Sequence, residues 1–288
     1  MTLYKWAHIS DIHYAECGLL SFLRNPWHYC SKAFLAYINH LFQRKNILDY
    51  KPLESLAEFL QKEAVSTLLI SGDFTTSSHP AEFKKAQKFI EQFSFPVYAV
   101  PGNHDVYTKK AEKAQRFYTF LDSSKNGATM QQKGCSLLFS DANFSLIGLD
   151  SARATSWISS EGEFGSEHAF YLRHLLEKIP QNHTIFLLHH FPLFCNDSPK
   201  KGLKGRELLQ QILQEEKRTI YYLHGHNHRQ SIADLRPNNL PVLLEPGSIS
   251  WKNPSFHLLE FTKERMCVKV YTWNAQWTLK EQRIFAHG

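Results

Sequence analysis

The chain has 288 residues, 43% hydrophobic and 21% charged, with 33 basic against 27 acidic side chains and a net charge of +6. That composition excludes a disordered chain and permits one large domain, expected over residues 1–288, with a substantial core. The mild positive charge allows a nucleic-acid or membrane-surface partner without requiring one.

The first hundred residues alternate between two periodicities. Tyr4–Ser10, Thr67–Ser71 and Val97–Val100 are short apolar runs and are predicted as buried strands. Between them, Pro52–Glu63 carries Leu53, Leu56, Ala57 and Leu60, and Ala81–Phe93 carries Phe83, Ala86, Phe89, Ile90 and Phe93, both at helical spacing. Strand, helix, strand, helix, strand points to parallel βαβ units. Lys109–Leu121 is predicted as one further helix, and Ser136–Phe139 with Phe144–Leu149 as a hairpin. A helix over Ala169–Lys178, a strand over Thr184–Leu188, a helix over Arg206–Leu213 and a strand over Thr219–Leu223 follow. Ser231–Leu235, Pro241–Leu244, Phe256–Phe261 and Cys267–Tyr271 are predicted as strands with no helix between them. A parallel-rich first part and an antiparallel-rich end suggest two facing sheets flanked by helices.

The segment Cys17–Leu48 interrupts this order. It contains no acidic residue and sets Arg24, Lys32, Arg44 and Lys45 beside Leu19, Leu20, Phe22, Leu23, Trp27 and Tyr29. Ser31 is placed to cap a helix there, with Phe34, Leu35, Ile38, Leu41 and Phe42 on one stripe. Two readings stand for residues 17–50: a helical lid packed on the body, or a basic, aromatic surface that meets anionic lipid. The five cysteines, at 17, 30, 135, 195 and 267, are odd in number and form no C-x-x-C pair. A disulfide framework is not expected, and a reducing cytoplasm fits best. The start MTLYKWAHIS lacks a signal-peptide pattern, and no apolar run is long enough for a membrane span.

Five short motifs follow predicted strands: Asp11-Ile12-His13, Gly72-Asp73, Gly102-Asn103-His104-Asp105, His189-His190-Phe191-Pro192 and His224-Gly225-His226-Asn227-His228. Each is common alone. In series they place carboxylates, imidazoles and one amide at strand C-termini, where open α/β sheets bind ligands. A dinuclear centre needs a bridging group, and Asp73 is the candidate. Asp11 and His13, two apart on an extended strand end, can face one ion. His226 and His228 have the same spacing and can each reach a different ion. Asn103 and one of His189 and His190 complete the set. Mixed nitrogen and oxygen ligation without thiolate suits Mn, Fe, Zn or Ni. Such a site stays net positive and favours a phosphate. His104 is placed to protonate a leaving oxygen, with Asp105 holding its imidazole. His8, His28, His40, His79, His168, His174, His183 and His257 read as surface or satisfied core histidines, and Cys195 as a small buried hydrophobe. The basic runs at Lys84–Lys88 and Lys109–Arg116 read as solvated helix faces, so a nucleic-acid partner is not expected.

The ordered set D-I-H, G-D, G-N-H-D, H-x-P and G-H-N-H, closed by Glu245–Ser250, resembles the calcineurin-like metallophosphoesterase family, with features of its bacterial phosphodiesterase branch. The resemblance implies a four-layer α-β-β-α sandwich with two mixed sheets and the site at one edge. It implies Asp11, His13, Asp73 and His228 around one metal, and Asp73, Asn103, His190 and His226 around the other. His190 is preferred over His189 because it stands two before Pro192. It further implies attack of a metal-bridging hydroxide on a phosphodiester, monoester or pyrophosphate, with His104 assisting. An alternative substrate is the pyrophosphate of a nucleotide-linked diacyl sugar at the inner membrane surface. An alternative of another class is a non-catalytic scaffold on the same fold, which the intact ligand set disfavours.

Overall fold

The computed structural model describes residues 3–16, 48–122, 127–130, 133–156, 159–194 and 199–287. The strand-helix alternation of the first hundred residues forms β1 (Tyr4–Ile9), α1 (Lys51–Lys62), β2 (Thr67–Ile70), α2 (Pro80–Ile90) and β3 (Val97–Ala99). Pro52 sits in the first turn of α1, where its missing N–H costs nothing, and Leu53, Leu56 and Leu60 form the buried stripe. In α2 a capping box joins His79 and Glu82.

The expected helix over Lys109–Leu121 is instead two, α3 (Lys109–Lys113) and α4 (Arg116–Asp122). Gln115 between them adopts φ +46°, a left-handed conformation that a continuous helix cannot contain. Next come β4 (Gly127–Thr129), β5 (Gly134–Ser140), β6 (Phe144–Asp150), β7 (Gly162–Glu163), α5 (Ser166–Lys178), β8 (Thr184–Leu188), β9 (Leu203–Lys204), α6 (Arg206–Glu215) and β10 (Ile220–Leu223). The end of the chain is β11 (Gln230–Asp234), β12 (Val242–Pro246), β13 (Ser255–Phe261), β14 (Arg265–Trp273) and β15 (Trp277–Ala286).

Two large mixed sheets result. One has seven strands in the order β15-β14-β13-β1-β2-β3-β4, the other six in the order β11-β12-β10-β8-β6-β5. In the first, β1 to β4 pair in parallel and β13 to β15 extend the sheet antiparallel. In the second, β6, β8, β10 and β12 are parallel, and β5 and β11 are antiparallel edges. Strand side chains alternate between faces, and the cores record it. Ala7 and Ile9 of β1 pack with residues of α1, α2 and α4, while Trp6 turns to the other face. Between the sheets, Trp6, Phe144, Phe186 and Phe261 meet ring to ring, with Trp6 and Phe261 centroids 4.9 Å apart. In β10, Tyr221 and Leu223 join this middle layer, whereas Ile220 and Tyr222 join Leu172, Leu209 and Ile212 of α5 and α6. Three cores between four layers make an α-β-β-α sandwich.

The basic, aromatic segment expected at 17–50 lies, up to residue 47, outside the described residues, as does Cys195. Among the described residues no helix is long and apolar enough to cross a membrane.

Candidate metal centre

The loops after β1 and β2 run on together beyond the strands: Asp11 N–H donates to the Gly72 carbonyl, His13 N–H to Asp73 and Tyr14 N–H to Phe74. In this stretch Asp11, His13 and Asp73 have φ of +57°, +53° and +56°. His226 and His228, after β10, have φ of +78° and +57°. The expectation that Asp11 and His13 share an extended strand end is therefore corrected. They do reach one place, but through left-handed turns, which aim successive side chains inward. Left-handed backbone at non-glycine residues is uncommon and concentrates at functional sites.

Asp11, His13, Asp73 and His228 offer ligand atoms that all lie within 4.8 Å of one another. His13 and His228 Nε2 atoms are 3.0 Å apart, and Asp11 Oδ1 is 3.1 Å from His228 Nε2. Beside this cluster, Asn103 Oδ1 lies 3.2 Å from His190 Nε2 and 3.0 Å from His226 Nδ1. Asp73 stands between the two groups, with Oδ2 3.7 Å from His13 Nε2 and 3.5 Å from His190 Nε2. His189 turns away, its Nδ1 2.6 Å from the Tyr222 hydroxyl.

Backbone carbonyls fix the histidine tautomers. A carbonyl only accepts, so the nitrogen facing it must carry the proton. His190 Nδ1–H donates to Ser71 O at 2.7 Å, which leaves Nε2 with its lone pair toward Asn103 and Asp73. His226 Nε2–H donates to Lys201 O at 2.5 Å, which leaves Nδ1 facing the same place. Burial keeps both imidazoles neutral, lowering His190 and taking His226 down to about 3. Burial opposes the charge on Asp11, but His228 and His13 hold its carboxyl well below the usual range. Carboxylates converging with imidazoles, of which His190 and His226 are neutral with a lone pair inward, are the donor types a divalent cation requires.

Two glycines make room. A Cβ on Gly102 would lie 2.1 Å from Asp73 Oδ1, and one on Gly225 would lie 1.9 Å from Ser10 Oγ and 2.5 Å from Asp11 Oδ2. Ser248 Oγ–H donates to the Asp11 carbonyl at 2.7 Å and Ser250 Oγ–H to Ile12 at 2.6 Å, tying the 247–251 loop to the first ligand loop. Glu245 accepts from the backbone N–H groups of Asn227 and Arg229 and so shapes the His226–His228 turn.

Asp105 does not hold His104. Its carboxylate is buried and accepts from Phe74 N, Thr75 N, Thr75 Oγ1 and Gly102 N, which clamps the Asp73 loop to the Gly102 loop. All its acceptor directions are used, so none is left for the imidazole. His104 instead donates Nδ1–H to the Thr76 carbonyl at 2.6 Å. Its ring is half-buried and lies in a row of five: Tyr107, His104, His13, His228 and Trp251, with successive centroids 5.0, 4.8, 4.9 and 5.1 Å apart. His257, expected to be satisfied, is fully buried between the sheets, and neither ring nitrogen has a hydrogen-bond partner among the described residues. An open cleft of about 430 Å³ lies over the ligands, lined also by Ser160, Lys201, Asn227, Arg229 and Trp251. The carbonyls of Ser71, Thr76 and Lys201 and the Trp251 ring carry no motif and were not foreseen from the sequence.

A family model described as calcineurin-like phosphoesterase matches residues 4–230. A probable glycerophosphodiester phosphodiesterase of Arcobacter nitrofigilis is 26% identical over 226 residues, covering 77% of this chain and 71% of that protein. A 3′,5′-cyclic adenosine monophosphate phosphodiesterase of Escherichia coli is 25% identical over 232 residues, covering 77% of each. A dimetal phosphatase from Danio rerio shares the fold, with a TM-score of 0.66 at 14% identity and 99% of both chains covered. The chain belongs to the calcineurin-like phosphoesterase family and is a metal-binding phosphoester hydrolase.

Proposed function

We propose that the protein hydrolyses phosphodiesters in preference to monoesters, at a centre of two divalent ions. The observation that carries this is Asp73, whose carboxylate lies between His13 of one donor cluster and His190 of the other. Asp11, His13, Asp73 and His228 would hold one ion, and Asp73, Asn103, His190 and His226 the other, with Mn, Fe, Zn or Ni suited to such donors. When bound, such ions supply Lewis acidity to phosphoryl oxygens and lower the pKa of water near neutrality.

The side chains around them divide the remaining work. The reaction adds water to phosphorus and breaks one P–O ester bond, giving a monoester and an alcohol. His104, anchored through Nδ1–H to Thr76, lines the cleft and would carry the proton that the departing oxygen takes up. Arg229 and Lys201 line the same cleft and balance the charge of the non-bridging oxygens. Five scattered cysteines support a reducing, cytoplasmic setting.

Hydrolysis of bis(4-nitrophenyl) phosphate and of 4-nitrophenyl phosphate by metal-stripped protein, with Mn²⁺ added back, tests this reading. Manganese-dependent turnover should favour the diester and vanish in Asp73→Ala and Asn103→Ala proteins. Turnover retained by Asp73→Ala would sink the mechanism.

A further inference from the structure

The cleft has two unlike ends along the row of rings. His104 lies next to His13, whereas Trp251 sits beyond His228 at the far end. On the phosphodiesterase reading, which this inference rests on, the departing ester group belongs beside His104, because that is where its oxygen finds a proton. The other substituent, which stays on the phosphoryl group, then extends away from His104. Trp251, next to His228 in the row of rings, and Arg229, next to His228 in the chain, both line the cleft. Trp251 is held in place before any substrate arrives. Its backbone N–H donates to Ser248 Oγ at 3.1 Å, the same hydroxyl that donates to the Asp11 carbonyl. Its backbone is thereby tied to the loop that carries Asp11, and its ring packs against that of His228, with centroids 5.1 Å apart. Arg229 is exposed and has no ion-pair partner among the described residues, so its guanidinium is available to a phosphate or to a ring face.

We infer that Trp251 is a specificity-determining residue that reads the retained ester substituent, and that it selects phosphodiesters in which this substituent carries a planar aromatic ring, as a nucleoside does, over those with a small polyol or alkyl group. Stacking of a base on an aromatic side chain is worth about 1–3 kcal/mol, or roughly 5- to 150-fold. The departing group is read at the other end and is not sorted by Trp251.

Two diesters with the same leaving group isolate the effect: thymidine 5′-(4-nitrophenyl) phosphate and propyl 4-nitrophenyl phosphate. The Mn²⁺-loaded wild-type protein should show kcat/KM at least about tenfold higher for the thymidine ester, mainly through KM. In Trp251→Leu that ratio should fall to about one, and Trp251→Phe should restore most of it. A ratio near one in the wild type, or an unchanged ratio in Trp251→Leu, overturns the inference while leaving the phosphodiesterase reading intact. A calorimetric comparison on Mn²⁺-loaded wild-type protein needs neither turnover nor a variant. AMP should bind about tenfold more tightly than ribose 5-phosphate, and equal affinity overturns the inference even if no diester is hydrolysed.

Discussion

At the scale of single residues, the chemistry depends on atoms held by the backbone. His104 has its Nδ1 proton placed by the Thr76 carbonyl and lines the cleft, where the proposed mechanism gives it the leaving oxygen's proton. His104→Ala should therefore lower kcat by about 10²- to 10⁴-fold on diesters with an alkyl leaving group. The loss should be far smaller on 4-nitrophenyl esters, whose leaving oxygen needs no proton. Equal losses on both would remove His104 from the proton-transfer role. Asp105 belongs to a different task. Its four donors come from two loops, and an amide in its place leaves donors facing donors. Asp105→Asn should cost about 1–3 kcal/mol for each donor left without a partner, read by urea unfolding of the metal-free protein. The preference between alkyl and nitrophenyl leaving groups should stay as in the wild type. Selective loss of the alkyl substrates would restore Asp105 as the partner of His104.

The residue scale also shows what the sequence can and cannot reveal. The side chains that the fold brings together were legible as candidates because acid, amide and imidazole types recur in a fixed order after apolar runs. The groups that aim them were not. Every residue has a carbonyl, so nothing in the letters singles out Ser71, Thr76 or Lys201. The left-handed backbone of five donor residues is equally silent, although it replaces the extended geometry expected for Asp11-Ile12-His13.

At the scale of elements, the site is a meeting of turns. Gly225 lets the turn after β10 lie against the turn after β1, with Ser10 Oγ and Asp11 Oδ2 where a Cβ would go. Gly225→Ala should destabilise the protein by about 1–3 kcal/mol, the usual range for overpacking. It should also weaken Mn²⁺ binding, because Asp11 must move. A variant with wild-type Tm and metal affinity would show that the two turns do not need this close approach. The buried parallel strands were legible from their continuous apolar runs. β15 was not, because only Trp277 and Phe285 of its ten residues are buried. Its place is set by hydrogen bonds to β14 rather than by an apolar face. The break between α3 and α4 was hidden for a similar reason: the helical spacing continues through Gln115 while its backbone does not.

At the scale of the whole molecule, the space between the sheets holds ionisable groups as well as an aromatic core. Burial lowers His257 to about 3 and His224 to about 4, and pushes His8 well below its ordinary value. A histidine whose folded pKa is depressed contributes stability that is complete above about 6.5 and is lost as pH falls through the folded value. The metal-free protein should thus weaken steadily from pH 6.5 down toward pH 3. Between pH 6.5 and 5, His257 and His224 each account for about 2 kcal/mol. His257→Phe should flatten the decline by about that amount in urea unfolding at the two pH values, and a parallel decline would show that His257 is not buried neutral.

The candidate metal centre joins both sheets, with the proposed donors after β1, β2 and β3 on one side and after β8 and β10 on the other. The most direct test is the number of ions that this junction holds. Equilibrium dialysis of metal-stripped protein against Mn²⁺ should find two ions per chain in the wild type, with diester turnover rising as the second site fills. Asn103→Ala should hold one. A single ion in the wild type with full turnover, or two ions retained by Asp73→Ala, would contradict a centre bridged by Asp73.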